Sequence, residues 1–79
     1  MTKIEKTVRK FLSRPESLPY FEIEKVLGFF GFDLIPAKGS HKKFKHPSLE
    51  HDLVIPVHNN DCKNFYKIQA SKIVKEYIL

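Results

Sequence analysis

Apolar side chains recur at helical spacing near the start of the chain, with charged residues between them. They occupy four positions: Ile4, Val8, Phe11 and Leu12. This spacing predicts a short amphipathic helix over about residues 2–13. Such a stripe can pack on a core or dock a partner protein. Because the stripe is narrow, we favour packing.

A second helix is predicted to begin after Pro19. Its apolar positions follow the i, i+3, i+4, i+7 pattern: Ile23, Val26, Leu27 and Phe30. Gly31 stands where a helix commonly ends in a left-handed conformation. A last helix is predicted over about the last 17 residues, with Asn60 or Asp61 as its cap. Its broad apolar stripe would contain Phe65, Ile68, Ala70, Ile73 and Tyr77.

The segment between these helices has the short alternating runs that are typical of strands. The runs are residues 32–37, 41–46 and 52–57, with Pro36 marking an edge or a strand end. Gly39 and Ser40 predict a hairpin turn between the first two runs. In the second run, Phe44 lies on one face and the polar residues His41, Lys43 and Lys45 lie on the other.

The predicted order of elements is therefore α-α-β-β-β-α, which is an α+β fold. In a three-stranded antiparallel sheet, helices can cover one face and leave the other open to solvent. Phe44, Leu53 and Ile55 would point at the helices. The face that carries His41 would then remain uncovered.

Composition indicates one small folded domain. With 79 residues and 42% hydrophobic content, the chain can form a core and is not disordered on composition. Lone Cys62 excludes a disulfide within the chain. No run approaches the roughly 18 apolar residues of a membrane span, and the first residues lack the apolar core of a signal peptide. We therefore expect a cytoplasmic protein without a membrane partner.

Charge and a histidine-containing turn suggest chemistry on a nucleic acid. Fourteen Lys and Arg against nine Asp and Glu give a net charge of +5. This favours a nucleic-acid partner, although many soluble domains are mildly basic. His41 follows Gly39 among four lysines, and histidine exchanges protons near neutral pH. A proton-transfer group in a cationic field suits cleavage of a phosphate backbone.

Each candidate residue also has a structural alternative. His41 can be a turn histidine that hydrogen-bonds locally, and the lysines can be a solvated face. Strand alternation places Lys43 and Lys45 beside His41, so these are the first choices for contacts with RNA. Zinc sites usually show tighter ligand spacing than the other three histidines offer, so no metal site is expected. Those histidines are His46, His51 and His58.

The order of these motifs resembles the HicA toxin family. Gly31-Phe32 is followed by Lys38-Gly39-Ser40-His41-Lys42-Lys43-Phe44 and then by His46-Pro47. The run Val54-Ile55-Pro56-Val57-His58 looks like the family's third strand. The similarity covers roughly Phe21 to Leu79, and the Gly-Ser-His motif is specific only in this order and spacing.

The resemblance implies a small ribonuclease with a fold like the double-stranded-RNA-binding domain. The family's members are toxins that cleave messenger RNA and are held inactive by a HicB-type antitoxin. His41 would be the catalytic residue, His58 a secondary site residue, and no cofactor is implied. The RNA-binding candidates are Lys38, Gly39, Ser40, Lys42, Lys43 and Lys45. We expect the free protein to be a monomer.

Two departures from the family pattern are visible in the sequence. Residues 1–18 add a helix and linker ahead of the HicA-like domain, which we place at residues 19–79. The loop from Asn59 to Asn64 lacks the Lys-Gly turn expected there. Two further functions stay open, a non-catalytic RNA-binding module and a degenerate member that acts through a protein partner. Only His41 within Gly-Ser-His distinguishes catalysis from these.

Overall fold

Helices and one antiparallel sheet make up the parts of the chain that the computed structural model describes, residues 2–35 and 39–79. The elements are α1 (Lys3–Ser13), a 3-10 turn (Pro15–Ser17), α2 (Tyr20–Phe29), β1 (Asp33–Ile35), β2 (His41–Lys45), β3 (Leu53–Pro56) and α3 (Asn64–Ile73), which continues as a π-helical turn (Val74–Ile78). This order confirms the predicted α+β fold with an extra N-terminal helix.

Helix α1 is part of the packed core. Thr2 and Glu5 form a capping box at its start, which satisfies backbone groups that a helix end leaves open. Phe11 is fully buried, and its ring lies 6.4 Å from that of Phe30. The preference for packing over partner docking is therefore confirmed for the apolar side of this helix.

Helix α2 ends as its sequence predicts. Gly31 has a φ of +93°, the left-handed conformation that glycine adopts without strain. A Cβ atom at this position would lie 3.4 Å from Nε2 of His46. A contact of this length is ordinary packing, so it is the backbone conformation of the turn into β1 that favours glycine here.

The strands pair in the order β1-β2-β3, with β2 in the centre. Phe44 pairs with Leu34 on one side and with Leu53 on the other, and Lys42 pairs with Ile55. Phe44, Leu53 and Ile55 are buried against the helices, as expected. Strands β2 and β3 are shorter than their predicted runs, and β1 begins one residue later than predicted. Residues 36 and 37 of the first run lie outside the described residues.

The predicted apolar stripe of the last helix is largely wrong. Phe65, Ile68 and Tyr77 are exposed. The buried side has the same helical spacing but smaller or polar side chains: Lys67, Ala70, Ser71 and Val74. Small residues let α3 approach the 3-10 turn and the core closely, which turns the bulkier side chains outward.

The predicted cap of the last helix is also wrong. Lys63 stands at the N-cap of α3 without a side-chain hydrogen bond. Asp61 instead accepts a hydrogen bond from the backbone N–H of Tyr20, at 3.1 Å. Tyr20 is the first residue of α2, so Asp61 caps a helix 41 residues earlier in the chain.

Within residues 2–35 and 39–79, no helix has the length and apolar character needed to span a bilayer.

Candidate active site

His41 is the first residue of the central strand and lies on the uncovered face of the sheet. Its side chain is exposed, and its Cα pairs with that of Pro56 on β3. No side-chain hydrogen bond to the imidazole occurs within the described residues. The ring nitrogens are thus available to a bound molecule.

The turn before His41 fixes where the imidazole emerges. Gly39 has a φ of +73°. Glycine adopts this backbone conformation without strain, and other residues rarely do. The carbonyl of Ser40 accepts a hydrogen bond from the N–H of Val57, at 2.7 Å. Gly39 therefore turns the chain, and Ser40 anchors it to the end of β3 through its backbone.

Two of the predicted lysines share the face of His41. Lys43 and Lys45 follow His41 at alternate positions and are exposed. Lys42 is half-buried on the opposite face, where it pairs with Ile55. Lys38 lies outside the described residues. The structure therefore brings together His41, Lys43 and Lys45, and it separates Lys42 from them.

An acidic residue on the same face was missed in the sequence. Asp33 on β1 pairs with Lys45 across the sheet, and both side chains are exposed. Cross-strand partners point to the same face, so Asp33 offsets one of the two lysine charges. The strand register was needed to find it, because Asp33 and Lys45 are twelve residues apart in the chain.

A pocket of about 440 Å³ opens beside the start of β2. Pro56, the cross-strand partner of His41, forms part of its wall. The other lining residues belong to the loop after β3 and to α3: His58, Asp61, Cys62, Lys63 and Tyr66. The pocket places hydrogen-bonding groups and an aromatic ring near Pro56, the cross-strand neighbour of His41, although His41 is not among its lining residues.

The loop that lines this pocket is a tight reverse turn. His58 and Asp61 exchange two backbone hydrogen bonds, at 2.8 and 3.0 Å. Between them, Asn59 and Asn60 have φ values of 52° and 63°. Asparagine tolerates this left-handed conformation better than most residues. Two asparagines therefore form this turn, and the sequence has no glycine there to predict it.

Asp61 ties this loop to the rest of the fold. Its Oδ1 accepts hydrogen bonds from the N–H groups of Tyr20 and Cys62, at 3.1 and 2.9 Å. It also forms an ion pair with Nζ of Lys67 at 3.1 Å, and the Lys67 side chain is only 5% exposed. The Cys62 N–H, followed by Lys67, lowers the pKa of Asp61. The carboxylate therefore stays charged at neutral pH.

Cys62 and Tyr20, which flank this cluster, are held in their neutral forms. Burial raises the pKa of the Cys62 thiol and, more strongly, the pKa of the Tyr20 phenol. A thiol of raised pKa is a weak nucleophile. The exposed imidazole of His41 is therefore a better candidate for chemistry at this end of the sheet.

His46 has a structural role. Its Nδ1 accepts a hydrogen bond from the N–H of Ser48 at 3.0 Å, so the ring proton is on Nε2, which donates to the carbonyl of Phe30 at 2.9 Å. The ring also packs against Phe32, with centroids 4.8 Å apart. Both ring nitrogens are hydrogen-bonded, and these bonds hold the loop after β2 against the end of α2.

The remaining histidines lie at opposite ends of β3. His58 is exposed and lines the pocket beside His41, whereas His51 lines a separate pocket near Leu53. Across residues 2–35 and 39–79, no three His, Cys, Asp or Glu side chains gather as a metal-binding group.

Comparison with known proteins identifies the family. The family model described as HicA toxin of bacterial toxin-antitoxin matches residues 21–66, which is more than half of the chain. The chain belongs to the HicA toxin family. No curated protein and no solved structure gave a significant match.

The HicA match covers α2, the sheet and the start of α3. It therefore includes His41, the sheet face and all six described residues that line the neighbouring pocket. Helix α1 lies outside it, as does Lys67, the ion-pair partner of Asp61. A signal for Lys67 was present in the sequence, because it precedes Ala70, Ser71 and Val74 at helical spacing. The larger apolar residues Phe65, Ile68 and Tyr77 form the more prominent pattern in the sequence.

Proposed function

We propose that this HicA-family toxin is an endoribonuclease that cleaves messenger RNA, with His41 as the proton-transfer residue. The observation that carries the proposal is the placement of His41. Its imidazole is exposed on the uncovered sheet face beside Lys43 and Lys45, and its cross-strand neighbour Pro56 lines a pocket of about 440 Å³. Family membership supports the toxin role, and this geometry supports a phosphodiester substrate.

RNA supplies the nucleophile for this reaction. The 2′-oxygen attacks the adjacent phosphorus as its proton leaves, the bond from phosphorus to the 5′-oxygen breaks, and that oxygen takes up a proton. A histidine can act at either proton transfer. Lys43 and Lys45 would stabilise negative charge that develops on the phosphate oxygens. This route requires no metal ion and no cofactor.

The pocket beside Pro56 would hold the nucleoside next to the scissile phosphate. Tyr66 presents an aromatic ring on which a base can stack. His58 and Lys63 add polar contacts at the rim. In this arrangement, His58 contributes to binding near the reacting phosphate, and His41 contributes to the chemistry.

A HicB-type antitoxin would silence the enzyme by covering the sheet face. The surface around His41, Lys43 and Lys45 suits a partner that presents carboxylates. Such a partner needs only to exclude RNA from the face. The proposal predicts that antitoxin binding protects these three side chains from solvent and blocks RNA cleavage together.

The chemistry is tested with a short RNA and a matched oligonucleotide that carries a single 2′-deoxy nucleotide at the cleaved position. We expect cleavage of the RNA in the presence of EDTA, and no cleavage of the 2′-deoxy oligonucleotide. Cleavage of both, or a requirement for added metal, would contradict the mechanism. Tight RNA binding without cleavage would favour a non-catalytic RNA-binding module instead.

A further inference from the structure

The positive charge of this chain lies mainly outside the region that matches the HicA family. Residues 21–66 contain six Lys and Arg and six Asp and Glu, so their formal charge is zero. Helix α1 contains four cations and one carboxylate, for a net charge of +3. More than half of the total charge of +5 therefore comes from a helix that the family model does not include.

The four cations of α1 lie on one side of the helix. At 3.6 residues per turn they fall within an arc of about 120°, and all four are exposed. They are Lys3, Lys6, Arg9 and Lys10, and we call this surface the α1 basic face. The apolar residues lie on the opposite side, where Phe11 is fully buried.

No carboxylate neutralises this face within the described residues. The single ion pair found there joins Lys67 to Asp61, far along the chain from α1. Glu5, the one acidic residue of the helix, is engaged at its N-terminus, where its carboxylate accepts a hydrogen bond from Oγ1 of Thr2 at 2.9 Å. The four cations are thus available to an external anion.

The chemistry of the face favours a phosphate backbone over other partners. A membrane-surface helix inserts its apolar side into lipid, but the apolar side of α1 is packed in the core. A stable protein interface needs a buried apolar or aromatic centre, and the α1 basic face offers only Lys and Arg. Flexible cations without apolar anchors suit sequence-independent phosphate contacts.

We propose that the α1 basic face is a second RNA-binding surface, which contacts phosphates of the same strand that is cleaved at His41. This inference rests on the proposed ribonuclease function. The sheet face carries Lys43 and Lys45 against Asp33, a formal net charge of +1, compared with +3 for α1. The α1 basic face therefore supplies much of the electrostatic affinity for a long strand.

The length of the RNA distinguishes binding at one surface from binding at both surfaces. The longest dimension of the molecule is 36 Å, which corresponds to about ten nucleotides at about 3.4 Å per nucleotide of a stacked strand. An RNA of about five nucleotides can contact only one of the two surfaces at a time. One of about 20 nucleotides is long enough to contact the sheet face and the α1 basic face together.

The experiment measures the salt dependence of RNA binding in the full chain carrying His41→Ala, which prevents cleavage during the measurement. The test variant adds Lys6→Gln and Lys10→Gln. The control adds Lys72→Gln and Lys75→Gln, which removes the same charge from exposed positions elsewhere. For the 20-nucleotide RNA we expect the test pair to flatten the plot of log affinity against log salt by about 1.4, and the control pair to flatten it much less. The gain in affinity from the five-nucleotide RNA to the 20-nucleotide RNA should be smaller for the test pair than for the control pair.

Equal salt slopes for the test and control variants on the 20-nucleotide RNA would overturn the inference. RNA affinity would then depend on the net charge of the protein and not on the position of the lysines. An unchanged RNA slope with weakened binding of the antitoxin would also overturn it, and would assign the face to a protein partner. Failure of the ribonuclease proposal is recognised separately. In that case wild-type protein leaves RNA uncleaved in the presence or absence of EDTA, whatever the binding slopes.

Discussion

The two ends of strand β2 carry the same type of residue in opposite settings. His41, at the start, is exposed, and no described side chain hydrogen-bonds to its ring. His46, just past the end, has both ring nitrogens hydrogen-bonded and packs against Phe32. The sequence motif contains both histidines, yet among the described residues only the ring of His46 has hydrogen-bond partners. Hydrogen-bond occupancy therefore distinguishes a candidate catalytic histidine from a structural one.

The sharpest test of this contrast is removal of the imidazole at position 41. In the His41→Ala variant, RNA cleavage should fall by about 10²–10⁴ because a general acid or base is lost. The melting temperature should stay close to wild type, since exposed substitutions usually change stability by less than about 0.5 kcal/mol. His51→Ala, at another exposed histidine, is the matched control and should keep cleavage. Full RNA cleavage by a folded His41→Ala protein would show that His41 is not the catalytic residue.

The loop beside His41 depends on the Asp61–Lys67 pair, and the two partners should respond unequally to mutation. Asp61→Asn leaves a buried ammonium without its counter-charge, which should cost about 3 kcal/mol or more. Lys67→Met should cost less, because the Asp61 side chain is 55% exposed and keeps its two backbone donors. Urea unfolding of both variants measures the difference. Equal losses in the free energy of unfolding would mean that leaving the buried Lys67 ammonium without its counter-charge has no extra cost.

At the other end of the strand, His46→Ala should reduce stability without a direct effect on catalysis. The substitution leaves the part-buried carbonyl of Phe30 without its donor, at a cost of about 1–3 kcal/mol, whereas water can replace the exposed bond to Ser48. Urea unfolding gives the loss, and cleavage is measured under conditions where the variant remains folded. A loss of activity as large as that of His41→Ala would show that the two histidines are not functionally distinct.

The smallest expected effect is a dependence of stability on acid pH. The pKa of Asp61 is lower in the folded protein than its ordinary value of 3.8. Its stabilising contribution is therefore complete above that value and is lost as pH falls through the lower, folded pKa. The urea midpoint of wild type should decrease below about pH 4, and Asp61→Asn should show a shallower decrease over the same range. Parallel curves for the two proteins would assign the acid sensitivity to other carboxylates.

Local patterns were sufficient to predict much of this fold. The stripe of α1, the glycine after α2 and the alternation of Phe44 with His41, Lys43 and Lys45 all depend on neighbours along the chain, and the structure confirms them. The side of α3 that packs was missed, because helical spacing allows several stripes and the bulkiest one turned outward. Which side of α3 packs depends on how closely the helix approaches the 3-10 turn, and this is a property of the tertiary structure.

The same distinction applies to the candidate site. The exposure of His41 follows from strand alternation and could be predicted. Asp33 beside Lys45, and Asp61 beside Tyr20 and Lys67, are brought together by strand register and by chain reversal. The hydrogen bonds that set His46 apart from His41 also join residues from separate segments. These contacts decide which candidate is structural, and no spacing rule indicates them.

The cap that Asp61 provides to α2 has a consequence for the order of folding. Pro19 precedes this helix and offers no side-chain hydrogen bond, so α2 lacks a local cap when its residues first become helical. The carboxylate that completes its first turn arrives only after 41 further residues have closed into a sheet and loop. Contacts of such long sequence separation carry a large loop-closure cost and tend to form late. We therefore expect loss of this carboxylate to accelerate unfolding while leaving the folding rate nearly unchanged.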